Sequence, residues 1–325
     1  MKIYVALLLS GLFLSGCLST PSTSTSTSTS MGVLSTSSDN LRNAIGDSVA
    51  RNLTSRYNYL AASCVGPSAP AFLCSGVTLR ITETNPAYDP WTHSNFSRTT
   101  GAVSFSWVRS DVKFSKTVNW AGKNGFIFYP VLGTPAGKEK VEVVCYFPWD
   151  GATFYRSTPG GRGCGGSVNT YPYPVASRPC RDQGITTAEQ WLAHVRNPAG
   201  ASRPNAYSCA FMVTDNLNAE AVRAFNEAIR VPVLDPYYFF LDHTEMRIKA
   251  WTDSGPTFNL ERLPIEGFFY TTNGAASGLQ NARIDQKKYY DKTGGVFVPI
   301  IRIDFPVDRS AQFVFQYFAA EQNVL

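Results

Sequence analysis

Three short segments carry side chains that could act together chemically. Arg80 lies inside an apolar run, Ser104 and Ser106 flank a phenylalanine, and Glu245 precedes a second apolar run. An arginine in an apolar strand needs an anionic partner or a cleft, because burying an unpaired charge is costly. The simpler interpretations are a structural salt bridge for Arg80, a half-exposed strand for the two serines and an exposed edge position for Glu245.

Other catalytic arrangements have weaker support from the sequence. No GxSxG, HExxH or P-loop motif occurs. The histidines His93, His194 and His243 permit a Ser-His-Asp triad, but no spacing supports one. We interpret His194 as a structural residue of a helix and His93 as an exposed loop residue.

Further carboxylates remain as alternatives to Glu245. Glu266 lies in the apolar segment LPIEGFFY, where burial would raise its pKa, and it is the reserve catalytic candidate. Glu142 is a second alternative. A different hydrolase could use Glu266 and Asp285 as a carboxylate pair.

The first seventeen residues resemble a bacterial lipoprotein signal. Lys2 precedes the apolar run 3–14, which is too short to cross a bilayer comfortably, and Leu14-Ser15-Gly16-Cys17 follows. We predict that Cys17 is lipidated and that the protein is exported, with ordinary cleavage to a free extracellular protein as the alternative. Because Leu18 follows the cysteine, the pattern resembles that of outer-membrane lipoproteins. Residues 18–38 are rich in Ser and Thr and predict a flexible tether.

The remaining cysteines indicate an oxidising compartment. Six follow Cys17, an even number that predicts three disulfides, with fifteen combinations open. Pairing between chain neighbours is favoured because each pair closes a short loop rich in Gly, Pro or Ser. The expected pairs are Cys64–Cys74, Cys145–Cys164 and Cys180–Cys209. This leaves no cysteine for catalysis, and the spacings do not indicate a metal site.

Composition places residues 39–325 in one globular domain. Over the whole chain, hydrophobic residues make up 44% and charged residues 16%, and the net charge of +5 is scattered, so we expect no nucleic-acid partner. Helices are predicted at 39–62, from 186, at 218–230 and at 279–291. Strands are predicted at 71–82, 102–108, 125–132, 141–147, 245–251, 265–271, 296–305 and 312–318. A Gly/Pro/Cys-rich excursion spans 148–181. The irregular order favours an α+β fold with mixed, mainly antiparallel sheets and a few packed helices.

The order of the three chemical segments resembles the Arg–Ser–Glu class of ADP-ribosyltransferases and NAD glycohydrolases. The resemblance implies that Arg80 binds the phosphates of NAD, for which a guanidinium is well suited, and that Ser104 and Ser106 support the site. It also implies that Glu245 stabilises the cationic ribose as nicotinamide leaves. Trp107 or Tyr88 would stack on nicotinamide.

A longer resemblance covers most of 43–318. The strings FLCSGV-x-LR, GxVSFSW, NGFIFYPVLG, EQWLAH, TEMR, LPIEGFFY, ARIDQKKYY and TGGVFVPIIR are similar to the halovibrin family of exported bacterial proteins. It implies an ADP-ribosyltransferase-like core that cleaves NAD as its substrate, without a bound cofactor or metal, or transfers ADP-ribose to a host protein. Transferases of this class have Gln or Glu where His243 stands, which favours water as the acceptor.

The alternative function is a binding or adhesion lipoprotein without catalysis. A membrane-anchored tether would display such a module away from the cell surface. Aromatic side chains in the excursion could then bind sugar or protein; they are Trp149, Phe154, Tyr155, Tyr171 and Tyr173.

Overall fold

The fold is taken from a computed structural model. It describes residues 31–82, 89–112, 123–148, 151, 153, 161–168, 175–177, 179–187, 189–191, 193, 209–213, 219–230, 244–251, 259–272, 277–304 and 312–324. Residues 39–325 form one compact unit, and 1–38 form a separate one.

A nine-stranded mixed sheet organises the compact unit, in the order β11-β10-β9-β3-β1-β2-β8-β4-β7. Every pairing described in this sheet is antiparallel except the parallel pair β9–β10. The strands are β1 (Val77–Ile81), β2 (Ala102–Val108), β3 (Asn124–Phe128), β4 (Val143–Phe147), β5 (Gly166–Val168), β6 (Val175–Ser177), β7 (Phe211–Met212), β8 (Glu245–Lys249), β9 (Ile265–Thr271), β10 (Ile300–Asp304) and β11 (Val314–Tyr317). Strands β5 and β6 form a separate two-stranded sheet. The predicted α+β class, with mainly antiparallel sheets, is confirmed.

The helices whose bounds the described residues give are α1 (Met31–Asn58), α2 (Asn95–Thr100), α3 (Ala219–Ala228) and α4 (Ser277–Lys292). Helix α1 begins before the predicted start at Asp39, so the last residues of the predicted tether are helical. Strand β1 is shorter than predicted, because a 3-10 turn occupies Ala71–Leu73. Gly76 then adopts a φ of +68°, which a side chain would strain, and the strand begins after it.

One face of the sheet packs against α1. Val49, Leu53 and Tyr57 are buried against Val77 and Leu79 of β1, together with apolar residues of β3, β9, β10 and β11. The four-residue spacing that predicts this helix continues towards its N-terminus, where Leu41 and Ile45 are exposed. The amphipathic pattern therefore extends beyond the part of the helix that is buried.

The opposite face holds a larger aromatic core. Its rings include Phe72, Phe105, Trp107, Tyr146 and Phe225, and residues of α3 and α4 belong to the same cluster. The Phe225 ring of α3 lies 4.2 Å from that of Tyr146 on β4. Such edge-to-face contacts favour one fixed packing of the core.

Glu266, the reserve catalytic candidate, is a structural residue. It is buried on β9, and both carboxylate oxygens accept hydrogen bonds from Arg56 of α1, at 2.9 and 2.5 Å. Burial raises the pKa of Glu266, and the Arg56 guanidinium opposes that shift. This ion pair attaches α1 to the sheet, and removing one partner of such a pair typically costs about 3–5 kcal/mol.

The other reserve carboxylates do not form a site with Glu266. Asp285 lies on α4 and accepts a hydrogen bond from Asn124 at 3.0 Å, so the sheet separates it from the face that packs on α1. The predicted Glu266–Asp285 pair is therefore wrong. Glu142 is exposed and bonded to Lys249, whose hydrogen bond lowers the pKa of Glu142.

Asp285 should make stability depend on pH. Burial raises its pKa to about 7, Asn124 and Lys288 oppose the shift, and Asp89 adds to it. The unfolded carboxyl has a pKa of about 3.9. Protonation of Asp285 therefore stabilises the native state fully below about pH 4, and this stabilisation is lost as pH rises through about 7. We expect the free energy of unfolding to fall over this range by on the order of 3 kcal/mol, and Asp285→Asn to abolish that fall.

Urea unfolding between pH 4 and 8 measures this effect. Asp291→Asn is the matched control, because Asp291 is an exposed carboxylate on the same helix. An unchanged pH slope in Asp285→Asn would contradict the prediction.

Candidate functional site

Strands β2 and β8 bring together the residues that form the candidate site. Ser104 of β2 pairs in register with Arg247 of β8. Glu245 and Arg247 are two residues apart on β8, so their side chains leave the same face of the sheet. Ser104, Glu245 and Arg247 therefore lie side by side.

The start of β8 is fixed by the residue before Glu245. The Thr244 hydroxyl accepts a hydrogen bond from the Trp107 backbone N–H at 3.0 Å and donates one to the Trp107 carbonyl at 2.7 Å. Thr244 is buried, so water does not compete effectively for these bonds. They hold Glu245 against β2.

Glu245 is a buried carboxylate surrounded by hydrogen-bond donors. It is 3% exposed. Its Oε1 accepts hydrogen bonds from the hydroxyls of Ser104 and Thr153, each at 2.5 Å, and its Oε2 accepts one from the Gly151 backbone N–H at 3.0 Å. Because an ionised carboxylate only accepts hydrogen bonds, this set of donors suits the charged form.

Arg247 supplies the compensating positive charge. Its Nη1 lies 3.8 Å from Glu245 Oε1 and donates a hydrogen bond to the Ser104 hydroxyl. The rest of the guanidinium donates to the Thr100 hydroxyl and to the carbonyls of Ala102 and Arg162, at 2.8 to 3.1 Å. Burial lowers the pKa of Arg247, and Glu245 opposes that shift. Ser104 thus accepts from the guanidinium and donates to the carboxylate.

Ser104 also connects this network to solvent. Glu245 and Arg247 are almost completely buried, whereas Ser104 is exposed. A small molecule could therefore approach the carboxylate from the Ser104 side.

The excursion after β4 covers the other side of the network. The Cys145–Cys164 disulfide closes it, and Cys145 pairs in register with Arg247. Gly163 has a φ of +75°, and a Cβ there would lie 2.9 Å from Arg247 Nε and 3.1 Å from the Thr153 Cβ. Part of the glycine-rich sequence is therefore explained by close approach to the buried arginine.

Arg80 lies near this network but does not bond to Glu245. Its Cζ is 6.0 Å from the Phe105 ring centroid, and alternation along β2 puts Phe105 and Ser104 on opposite faces. The buried Nη1 of Arg80 has no hydrogen-bond partner among the described residues. Burial lowers the pKa of Arg80 to about 10, and the like charge of Arg247 contributes to the shift.

Strands β1 and β2 stop pairing with each other at this point. They pair over Val77–Leu79 and Ser106–Val108, whereas the preceding part of β2, 102–105, pairs with β8. Arg80 and Ser104 both lie just beyond the β1–β2 ladder. The sequence order Arg, Ser, Glu thus corresponds to three adjacent strands, β1, β2 and β8.

Two predicted site residues are placed in the core of the described protein. The Trp107 ring is buried against Phe72 and Phe225, and its Nε1–H donates to the Ser75 carbonyl at 2.8 Å. It cannot stack on a ligand in this position, so the prediction that Trp107 binds nicotinamide is corrected. Ser106 is buried on the same side of β2 as Ser104.

His93 also differs from its prediction. It is 4% exposed and its ring meets Trp251 at 4.5 Å, so it is a core residue rather than an exposed one. Several further predicted residues lie outside the described residues, namely Cys17, Tyr88, His194, His243, Trp149, Phe154, Tyr155, Tyr171 and Tyr173.

All three predicted disulfides are confirmed: Cys64–Cys74, Cys145–Cys164 and Cys180–Cys209. Three such bonds indicate that the protein matures in an oxidising, exported environment. In the part of the chain that the structure describes, no helix has the length and apolar character needed to cross a bilayer. The same residues contain no group of three or more His, Cys, Asp or Glu suited to hold a metal ion.

Sequence reasoning missed Arg247, Thr153 and Gly151. Arg247 could have been found, because it stands two residues after Glu245 on the same strand face. For Thr153 and Gly151 the sequence offers a weaker indication, which is that the predicted Cys145–Cys164 disulfide closes the loop that contains them.

Comparison with known proteins adds no identification. No protein-family model matches the chain, and no curated protein is similar to it.

Removing the Cys145–Cys164 bond should loosen the site. The bond closes a loop with a sequence separation of 19. We expect Cys145→Ala with Cys164→Ala to lower the free energy of unfolding by about 3 kcal/mol. The exchange of the Gly151 amide with deuterium should also accelerate, because that N–H would no longer be held against Glu245.

Amide exchange followed by NMR checks this prediction. The control is Cys180→Ala with Cys209→Ala, which should also cost stability while leaving the native-state exchange of Gly151 unchanged. Equal acceleration in both double variants would contradict a specific role of Cys145–Cys164 at the site.

Proposed function

We propose that this chain is an exported enzyme that cleaves the N-glycosidic bond between nicotinamide and ribose in NAD. The observation that carries the proposal is the hydrogen bond between Ser104 and Glu245 on adjacent strands, with Arg80 on the next strand. This arrangement fits the resemblance to the Arg–Ser–Glu class and to the halovibrin family. An ADP-ribosyltransferase-like core is part of the same proposal.

Glu245 acts on the ribose in this mechanism. The bond between ribose C1′ and the nicotinamide nitrogen breaks, and its electron pair leaves with nicotinamide. The positive charge that develops on the ribose is stabilised by the Glu245 carboxylate. Water then adds to C1′ and loses a proton, so the products are nicotinamide, ADP-ribose and a proton.

Ser104 and Arg247 keep the carboxylate ready for this role. Ser104 donates to Oε1, and Arg247 balances the negative charge, so the carboxylate can remain ionised although it is 3% exposed. An electrostatic group that is already oriented needs little rearrangement as the ribose becomes cationic.

Arg80 is the proposed group for the phosphates of NAD. Arg247 is neutralised by Glu245, whereas the buried Nη1 of Arg80 has no described hydrogen-bond partner. The repulsion between the two guanidiniums would be relieved by an anion, and a pyrophosphate suits a guanidinium. Because Arg80 and Ser104 leave opposite faces of the sheet, a ligand with its nicotinamide ribose at Ser104 and its pyrophosphate at Arg80 would pass between β1 and β2 where the two strands stop pairing.

The proposal also includes the acceptor of the ADP-ribosyl group and the location of the enzyme. We take water as the acceptor, because His243 replaces the Gln or Glu that the transferase class uses at this position. Lipidation of Cys17 would hold the enzyme at an outer membrane, through the tether, on the exported side where its disulfides form.

Substitution of Glu245 tests the proposed function. The fragment 39–325, which is the compact unit, should release nicotinamide from NAD once its disulfides have formed. Glu245→Gln should reduce kcat at least about 100-fold, because the charge that stabilises the cationic ribose is lost. Product formation is measured by chromatography of nicotinamide and ADP-ribose.

Glu227→Gln is the control, because Glu227 is an exposed carboxylate on α3, and it should turn over NAD as the wild type does. Turnover that survives Glu245→Gln would move catalysis to another group. A wild-type protein that neither hydrolyses NAD nor modifies added proteins would favour the binding lipoprotein instead.

A further inference from the structure

The excursion after β4 supplies hydrogen-bond donors to both oxygens of Glu245. Thr153 donates to Oε1 at 2.5 Å, and the Gly151 N–H donates to Oε2 at 3.0 Å. These donors come from a loop outside the main sheet. The loop is tied to β4 by Cys145–Cys164, and the Arg162 carbonyl anchors it to Arg247 Nε at 2.9 Å.

Among the described residues, the main sheet supplies one hydrogen bond to this carboxylate. Ser104, which belongs to β2, bonds to Oε1. The last torsion of a glutamate side chain is broad, so one donor on one oxygen leaves the carboxylate plane able to turn. The loop removes that freedom, because Thr153 holds Oε1 from a second direction and the Gly151 N–H holds Oε2.

We propose that Thr153 is a positioning residue for Glu245, held in place by the disulfide-closed loop. The inference rests on the proposed function and deepens it, since it assigns part of the catalytic geometry to a loop that matures with its disulfide. Thr153 is 3% exposed, and its Oγ1 lies 3.3 Å from the Ser104 hydroxyl. Thr153 therefore contacts both the buried carboxylate of Glu245 and the hydroxyl of the exposed Ser104.

A positioning role has a signature that a purely structural role lacks. Thr153→Val keeps the shape of the side chain and removes one donor to the ionised carboxylate. A hydrogen bond to a charged group contributes about 1.5–3 kcal/mol. The acid limb of the activity profile should then move to higher pH by roughly one unit or more, because the protonated carboxyl is no longer disfavoured as strongly. Arg247, the charged group that faces Glu245 from β8, is unchanged in the variant.

The experiment compares three variants of the oxidised protein. Thr153→Val should lower kcat roughly tenfold with KM within about twofold and should shift the acid limb, whereas Thr153→Ser should restore both. Thr99→Val is the control, because the Thr99 hydroxyl is exposed and bonds to the Asn95 carbonyl. The intact Cys145–Cys164 bond is checked by mass spectrometry in each variant.

A second readout separates this inference from the proposed function. The carboxyl carbon of Glu245 is followed by ¹³C NMR between pH 3 and 8 in each variant, without NAD. A higher titration midpoint of Glu245 in Thr153→Val, reversed in Thr153→Ser, supports the hydrogen bond between Thr153 and Glu245. This result would support it even if the wild type fails to cleave NAD, and that failure would contradict only the proposed function. An unchanged midpoint together with wild-type kcat in Thr153→Val would overturn the proposal.

Discussion

A carboxylate and a guanidinium buried on the same side of β8 set the strongest constraint on this half of the molecule. Glu245 and Arg247 are 3% and 1% exposed, and an isolated charge at that depth would be very costly. The hydrogen-bond donors around Glu245 and the carbonyls around Arg247 compensate for the loss of water at these two charges. Strand β2, the loop after β4 and the last residue of α2 all supply such groups, so each must be in place for the pair to be tolerated.

The two faces of the sheet serve different purposes around this pair. Apart from the Arg56–Glu266 ion pair, the α1 face is apolar across β1, β3, β9 and β10, and it becomes polar where β2 and β8 meet. The opposite face is a continuous aromatic core that holds these strands in register through rings such as Phe105 and Tyr146. A well-packed core on one side holds the strands in the register that the polar contacts on the other side require.

Much of the fold could be predicted from the sequence. Strands β2 and β9 were predicted with their observed bounds, because β-branched and aromatic residues run between clear turn signals. The disulfides were predicted from short loop closure. Ser104 and Glu245 were selected through the resemblance of the residue order Arg, Ser, Glu to the Arg–Ser–Glu class, and in the structure these two side chains are hydrogen-bonded.

Contacts between distant segments account for what could not be predicted. Nothing local indicates that Thr153, from a glycine-rich excursion, reaches Glu245, or that Arg56 of α1 neutralises Glu266. Trp107 was expected to stack on nicotinamide through the resemblance to the Arg–Ser–Glu class, whereas tertiary packing places its ring in the core. Arg80 and Glu245 lie on opposite faces because of the registers of β1 with β2 and of β2 with β8, which local sequence does not specify.

A crystal structure of the Glu245→Gln protein with NAD tests the central claim most directly. The account predicts the nicotinamide ribose against residue 245 and Ser104, with the pyrophosphate towards the guanidinium of Arg80. NAD bound at a different surface, with Ser104 and Arg80 free of it, would contradict the account.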